Sequence, residues 1–153
     1  MTTLNPLQVR NSNLALGHFL SYHRCRMKIG LVHTRLLRQG GLETRLFSYM
    51  ESFRDRGHDM TVIVSKIGDG VEAPPGVTVR RINMSWIPRD LRPPLFDRQL
   101  GRLLQQEPLD FVLSLTKSSH QDAILCPGNH VGFLMAIGKT KWNWKDRMHI
   151  RLE

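Results

Sequence analysis

The sequence predicts an α/β fold, a parallel sheet with helices on both faces, and three observations carry that expectation. Lys28 to His33 is a short, nearly continuous apolar run of the kind that suits a strand buried on both faces. Thr61 to Val64 repeats the pattern after a helix-length interval. The interval itself has apolar residues at helical spacing, and two strands joined by a crossover helix pair in parallel.

The elements follow in order. In the connecting helix, Leu42, Leu46, Phe47, Met50 and Phe53 recur three to four residues apart and turn one apolar stripe toward the sheet. Glu43 and Glu51 lie in its first and third turns and Arg54 and Arg56 near its end, an order that complements the helix dipole. Gly57 supplies the left-handed stop before His58 and Asp59 lead into the second strand. Val77 to Ile82 reads as a strand after the turn residues Pro74, Pro75 and Gly76, and Phe111 to Leu115 as another after Pro108. Leu95 to Gln106 reads as a helix, with Leu95, Phe96, Leu100, Leu103 and Leu104 on one side and Pro93-Pro94 at its start. Ala123 to Cys126 is a further short strand, and Val131 to Ile137 a helix after Gly128. With no repeat, low-complexity tract or linker, one domain is expected.

Gly40-Gly41 falls where the first strand hands over to the helix. Two glycines remove the side chains that would hold a ligand off the backbone, and a helix start offers N–H groups and partial positive charge to an anion. A tight turn that needs glycine for its dihedrals alone is the equal alternative. Neither a GxGxxG nor a GxxxxGK[ST] pattern is present.

A chain of 153 residues with a 41% hydrophobic share can bury one core, and no apolar run approaches the length that crosses a bilayer. Cys25 and Cys126 make no disulfide framework and suit a reducing compartment, with Cys126 read as a small buried residue. The histidines have no paired ligand spacing, so neither a metal site nor a cofactor is expected. Residues 1–26 lack the pattern of a secretory signal and are read as an upstream extension, poorly ordered or an artefact of start-site choice, ahead of a domain at 27–153.

The ordered set KIGLVH, GGLE and RGHDMTVIV resembles the opening of the family 4 glycosyltransferases, a retaining group whose GT-B architecture sets two Rossmann-like domains face to face. Further on, LDFVLSLTKSSHQDAILCPGNHVGFL at Leu109 to Leu134 is similar to the subgroup that extends the lipopolysaccharide core. The likeness runs from Met27 to about Glu153 without a large gap, and it implies a Rossmann-like, acceptor-side half of a GT-B enzyme. In the family the other domain holds most of the sugar-nucleotide site, including an acidic motif of two glutamates separated by seven residues, and that second domain is expected to lie beyond this acceptor-side half. The half by itself is expected to have little or no turnover, since holding both reactants together is a large part of the catalysis.

From the resemblance, Gly40 and Gly41 match the glycine loop that approaches the donor diphosphate. His130, in Pro127-Gly128-Asn129-His130, matches the Gly-x-His position near the donor sugar and reacting centre, and with Asp122 it is the candidate catalytic pair. Lys117 and Asp122 match polar positions facing the cleft; Glu43 is a candidate acceptor contact, although the subgroup carries glutamine there. The implied partners are a nucleotide-sugar donor and a lipid-linked or saccharide acceptor, in the cytoplasm. The residues themselves also permit duller roles: Asp122 as a loop acceptor for backbone N–H groups, Glu43 as a dipole partner, Lys117 as a surface lysine.

Charge adds an independent expectation. Twenty-two Lys and Arg against 13 Asp and Glu give a formal net charge of +9 and a pI near 10.4, so acidic partners are expected. Trp86, Arg89 and Arg92 sit in an arginine-rich stretch from Arg80 to Gln105 and could seat the protein on an anionic membrane surface, with Trp86-Ile87-Pro88 the better candidate because it lies outside the helix. Lys139, Lys141, Lys145, Arg147 and Arg151 around Trp142 and Trp144 form a second basic cluster. That cluster supports either a face for a second domain or a rival reading, a non-catalytic basic module for RNA or an anionic surface, though no RRM, KH, zinc-finger or helix-turn-helix signature accompanies it.

Overall fold

A computed structural model describes residues 25–125, 130–139 and 141–151. Five strands, β1 (Lys28–Val32), β3 (Asp59–Val64), β5 (Val77–Arg81), β6 (Phe111–Ser114) and β7 (Ala123–Ile124), form one sheet in the order β5-β3-β1-β6-β7. Every pairing in it is parallel. The chain winds outward from β1 through β3 to β5, then returns to the other side of β1 for β6 and β7. The reversal point of a doubly wound sheet therefore falls between β1 and β6.

Alternation along the central strands decides which helix covers which face. Ile29, Leu31, Met60, Val62 and Val64 point to one side, where Leu46 and Met50 of α1 (Gly41–Asp55) complete the core. Val32, Ile63 and Val112 point to the other, against Phe96 and Leu100 of α2 (Arg92–Gln106). Strands buried on both faces lose the polar alternation of an open sheet, which is why they read as near-continuous apolar runs. Pro93 sits within the first two positions of α2, where its missing N–H costs nothing. Gly57 takes φ 87° just past α1 and lets the chain turn into β3.

Four features depart from the sequence reading. A two-stranded parallel sheet, β2 (Arg35–Leu36) with β4 (Lys66–Ile67), forms beyond the ends of β1 and β3. A 3-10 turn, Arg89–Leu91, precedes α2. The C-terminal basic cluster contains a helix, α4 (Trp144–Arg151), after α3 (His130–Ala136). Asn143 caps α4 reciprocally: its Oδ1 accepts the Asp146 N–H at 2.9 Å, while Asp146 Oδ2 accepts the Asn143 N–H at 2.9 Å. Arg26, assigned from sequence to the extension, belongs with the domain, because its guanidinium grips the Asp59 carboxylate. The rest of that extension, residues 1–24, and the end of the expected strand at Cys126 lie outside the described residues.

Candidate active site

Carboxylates stand at the starts of three strands of the sheet, beside Lys28 at the start of β1. Asp59 opens β3, Asp110 precedes β6 and accepts the Lys28 N–H at 2.7 Å, and Asp122 precedes β7. At the other edge Arg35, Lys66 and Lys117 follow the ends of β1, β3 and β6, and Arg81 is the last residue of β5. That basic edge, at the reversal point, is where doubly wound sheets bind ligands.

A cavity of about 470 Å³ opens there. Thr34 reaches it from the end of β1, Ser65 from β3 and Thr116 from β6, so it straddles the reversal point. Arg35, Lys66, Arg89, Arg92 and Lys117 line it, with Leu37, Met84, Pro93 and Phe96 as apolar walls and, among the described residues, no carboxylate. The small sheet builds part of this wall. The Thr34 carbonyl accepts the N–H groups of Ser65 at 3.2 Å and Lys66 at 3.1 Å and the Ser65 hydroxyl at 2.7 Å. This clamp pairs Arg35 with Lys66 in register.

The glycine pair divides into two different cases. Gly40 has φ 102° and ψ 158°, a combination essentially confined to glycine, and a Cβ there would lie 2.5 Å from Glu43 Oε2. Its carbonyl accepts both the N–H of Thr44, at 3.1 Å, and the Thr44 hydroxyl, at 2.8 Å. Gly41 has no positive φ, is exposed, and a Cβ built on it meets nothing within 4 Å. The turn alternative therefore accounts for Gly40 and leaves Gly41 without a conformational reason. No side chain caps α1 at this end. Neither glycine lines the cavity.

Glu43 does more than face the helix dipole. Its Oε1 lies 3.7 Å from Nε2 of His33, a buried residue just past β1. Burial lowers the His33 pKa from its usual value, and the Glu43 carboxylate partly opposes that shift. His33 Nδ1 is buried without a hydrogen-bond partner among the described residues. Sequence reasoning passed over His33 because it read as the last residue of an apolar strand.

Lys117 is among the residues that line the cavity. Asp122 does not join it. The Asp122 carboxylate accepts the Val112 N–H at 2.7 Å and its own N–H donates to the Val112 carbonyl at 3.0 Å, at the starts of β6 and β7 on the acidic edge. That is the loop-acceptor role that the sequence offered as the alternative for Asp122. His130 opens α3; Pro127, Gly128, Asn129 and the His130 side chain lie outside the described residues. Arg89 and Arg92 turn out to line the cavity. Trp86 is 77% exposed, whereas Ile87 is 3% exposed and belongs to the core against α2, which takes it out of the surface candidate. Arg35 and Lys66 were missed because a two-residue strand pair gives no periodic signal.

The loop carrying Lys117 is fastened to α2. Buried Asp97 accepts the Ser119 N–H at 2.7 Å and the Ser119 hydroxyl at 2.5 Å. Among the described residues, no group of three or more His, Cys, Asp or Glu side chains could hold a metal ion, and no helix is long and apolar enough to cross a membrane.

The model of Glycosyltransferase Family 4 matches residues 39–130, from the glycine turn to the start of α3. A probable transglycosylase of Burkholderia thailandensis is 32% identical over 127 residues, covering 83% of this chain and 35% of that protein. Among solved structures, WaaG, a glycosyltransferase involved in lipopolysaccharide biosynthesis, superposes with a TM-score of 0.69 over 80% of this chain and 33% of WaaG. Its 13% identity makes this a likeness of fold. The chain spans about a third of the length of either protein.

Proposed function

The chain belongs to Glycosyltransferase Family 4, and from that premise we propose that it forms the acceptor-side wall of an enzyme transferring a sugar, with retention, from a nucleotide-sugar donor to a lipid-linked or saccharide acceptor. A second Rossmann-like domain closes the cleft in this reading and supplies most of the donor contacts.

One observation carries the proposal furthest. Gly41 is an exposed glycine in ordinary backbone geometry, with open space where a side chain would stand, at the uncapped start of α1. The fold does not require glycine there, whereas the close approach of a ligand to the backbone does. Helix-start N–H groups and the positive end of the dipole suit a diphosphate, and they stabilise it further as it leaves with the developing charge. His130 completes the reading as the residue beside the reacting sugar, on the strength of the family motif. Trp86, exposed on the segment before Arg89, is proposed to touch an anionic membrane surface.

The test is sugar transfer from a panel of nucleotide sugars by the protein together with its counterpart domain. Wild type transfers, and Gly41→Glu lowers turnover by about tenfold or more while the circular dichroism spectrum is unchanged. Normal turnover in Gly41→Glu would take the glycine turn out of the mechanism. The absence of transfer, with salt-sensitive binding of mixed-sequence RNA instead, would favour the non-catalytic basic module.

A further inference from the structure

We infer that the basic cavity at the sheet edge binds a phosphate group carried by the acceptor, so that the substrate class is a phosphorylated saccharide or lipid rather than a neutral sugar; this rests on the glycosyltransferase reading above. Arg35, Lys66, Arg89, Arg92 and Lys117 come from four separate stretches of chain onto one cavity whose lining, among the described residues, contains no acid. Arg35, Lys66, Arg89 and Arg92 gathered on one wall give it a positive potential that favours a negatively charged occupant.

Two of the cations are placed by the backbone. The β2–β4 pairing sets Arg35 opposite Lys66, about 5 Å apart between strands, and the Thr34 carbonyl holds that register through Ser65 and Lys66. A third is steadied at the rim, where Arg92 Nε donates to the Ile87 carbonyl at 2.8 Å. A smaller cavity of about 250 Å³ shares Ser65, Lys66, Met84 and Arg92 and adds Arg81, which extends the basic groove beyond the first cavity.

The donor diphosphate is a second source of the same chemistry, and geometry separates the two. Gly41, the backbone approach for the donor, is not part of the cavity lining. Leu37, Met84, Pro93 and Phe96 give the cavity apolar walls suited to the face of a sugar or the root of a lipid chain beside the phosphate. Two anion sites along one edge match two reactants, one bearing a diphosphate and one a phosphate.

The experiment follows backbone amide resonances of the protein during titration with glucose 6-phosphate, glucose, inorganic phosphate and UDP. Glucose 6-phosphate is expected to move the Ser65, Lys66 and Thr116 signals, glucose to move none of them, and UDP to act at Gly41 and Leu42. Arg35→Gln and Lys66→Gln, both at exposed positions, are each expected to weaken glucose 6-phosphate binding by about tenfold. Equal shifts from glucose, unchanged binding in both variants, or inorganic phosphate binding as tightly as glucose 6-phosphate would overturn the assignment. Sugar transfer that persists with unchanged acceptor KM in Lys66→Gln would also overturn it while leaving the glycosyltransferase reading in place. Variant-sensitive glucose 6-phosphate binding without any sugar transfer would support the cavity and defeat that reading instead.

Discussion

Glu43 Oε1 stands 3.7 Å from His33 Nε2, joining the first turn of α1 to the end of β1 at the edge where the cavity opens. A Cβ at position 40 would lie 2.5 Å from the other Glu43 oxygen, so a side chain there would make the Glu43 carboxylate shift.

This pair makes stability depend on pH. Burial lowers the folded-state pKa of His33 below the ordinary 6.5, so on acidification the unfolded chain takes up the proton first. The stability from keeping His33 neutral is complete above pH 6.5 and is lost as pH falls through the window down to the folded-state pKa. The slope is at most about 1.4 kcal/mol per pH unit for one proton. Urea unfolding at pH 7, 6 and 5 is expected to show this fall, and His33→Gln to flatten it. Glu43→Gln removes the charge that raises the pKa and is expected to extend the window to lower pH, as read by the His33 ring-proton titration.

The two adjacent glycines are expected to respond with opposite signs. Gly40→Ala forces a side chain into glycine-only backbone space and into Glu43, at a cost of about 1 to 3 kcal/mol. Gly41→Ala meets nothing within 4 Å and restricts the unfolded chain, giving about 0.4 to 1 kcal/mol of added stability. Thermal melts of both variants, with turnover measured alongside, decide whether the glycine at 41 serves a ligand: a more stable, less active Gly41→Ala is the expected result.

Asp97 is expected to be costly to remove. It is buried and accepts both the N–H and the hydroxyl of Ser119. Asp97→Ala leaves those donors without their partner and is expected to cost about 1 to 3 kcal/mol in denaturant unfolding. Because this contact holds the loop bearing Lys117, protease cleavage between Lys117 and Gln121 is expected to accelerate in the variant.

Asp122 offers the contrasting case. Its carboxylate accepts the Val112 N–H near the start of β6 and is not part of the cavity lining, so Asp122→Asn is expected to lower stability by about 1 kcal/mol and leave turnover within twofold of wild type. A loss of turnover without a loss of stability would return Asp122 to the active site.

In the core, Leu46 is fully buried against the sheet. Leu46→Ala is expected to cost about 2 to 5 kcal/mol, depending on how far Met50 and Val62 close the space, as measured by urea unfolding.

The amino-acid order by itself determined the parallel α/β sheet, the apolar stripe of α1, the turn at Gly57 and the glycine corner, because each is a local pattern: burial on two faces, a 3.6-residue period, a left-handed stop. It could not separate Gly40 from Gly41, since the two look alike until backbone angles are known. Nor could it distinguish Ile87, drawn into the core against α2, from its exposed neighbour Trp86. Asp122 and Lys117 lie five residues apart, yet chain reversal puts one at a strand start and the other at a strand end. Only the tertiary structure brought Arg35, Lys66, Arg89, Arg92 and Lys117 onto one wall. Their convergence comes from parallel winding, which gathers the loops following distant strands at a single edge, and no local periodicity encodes that meeting.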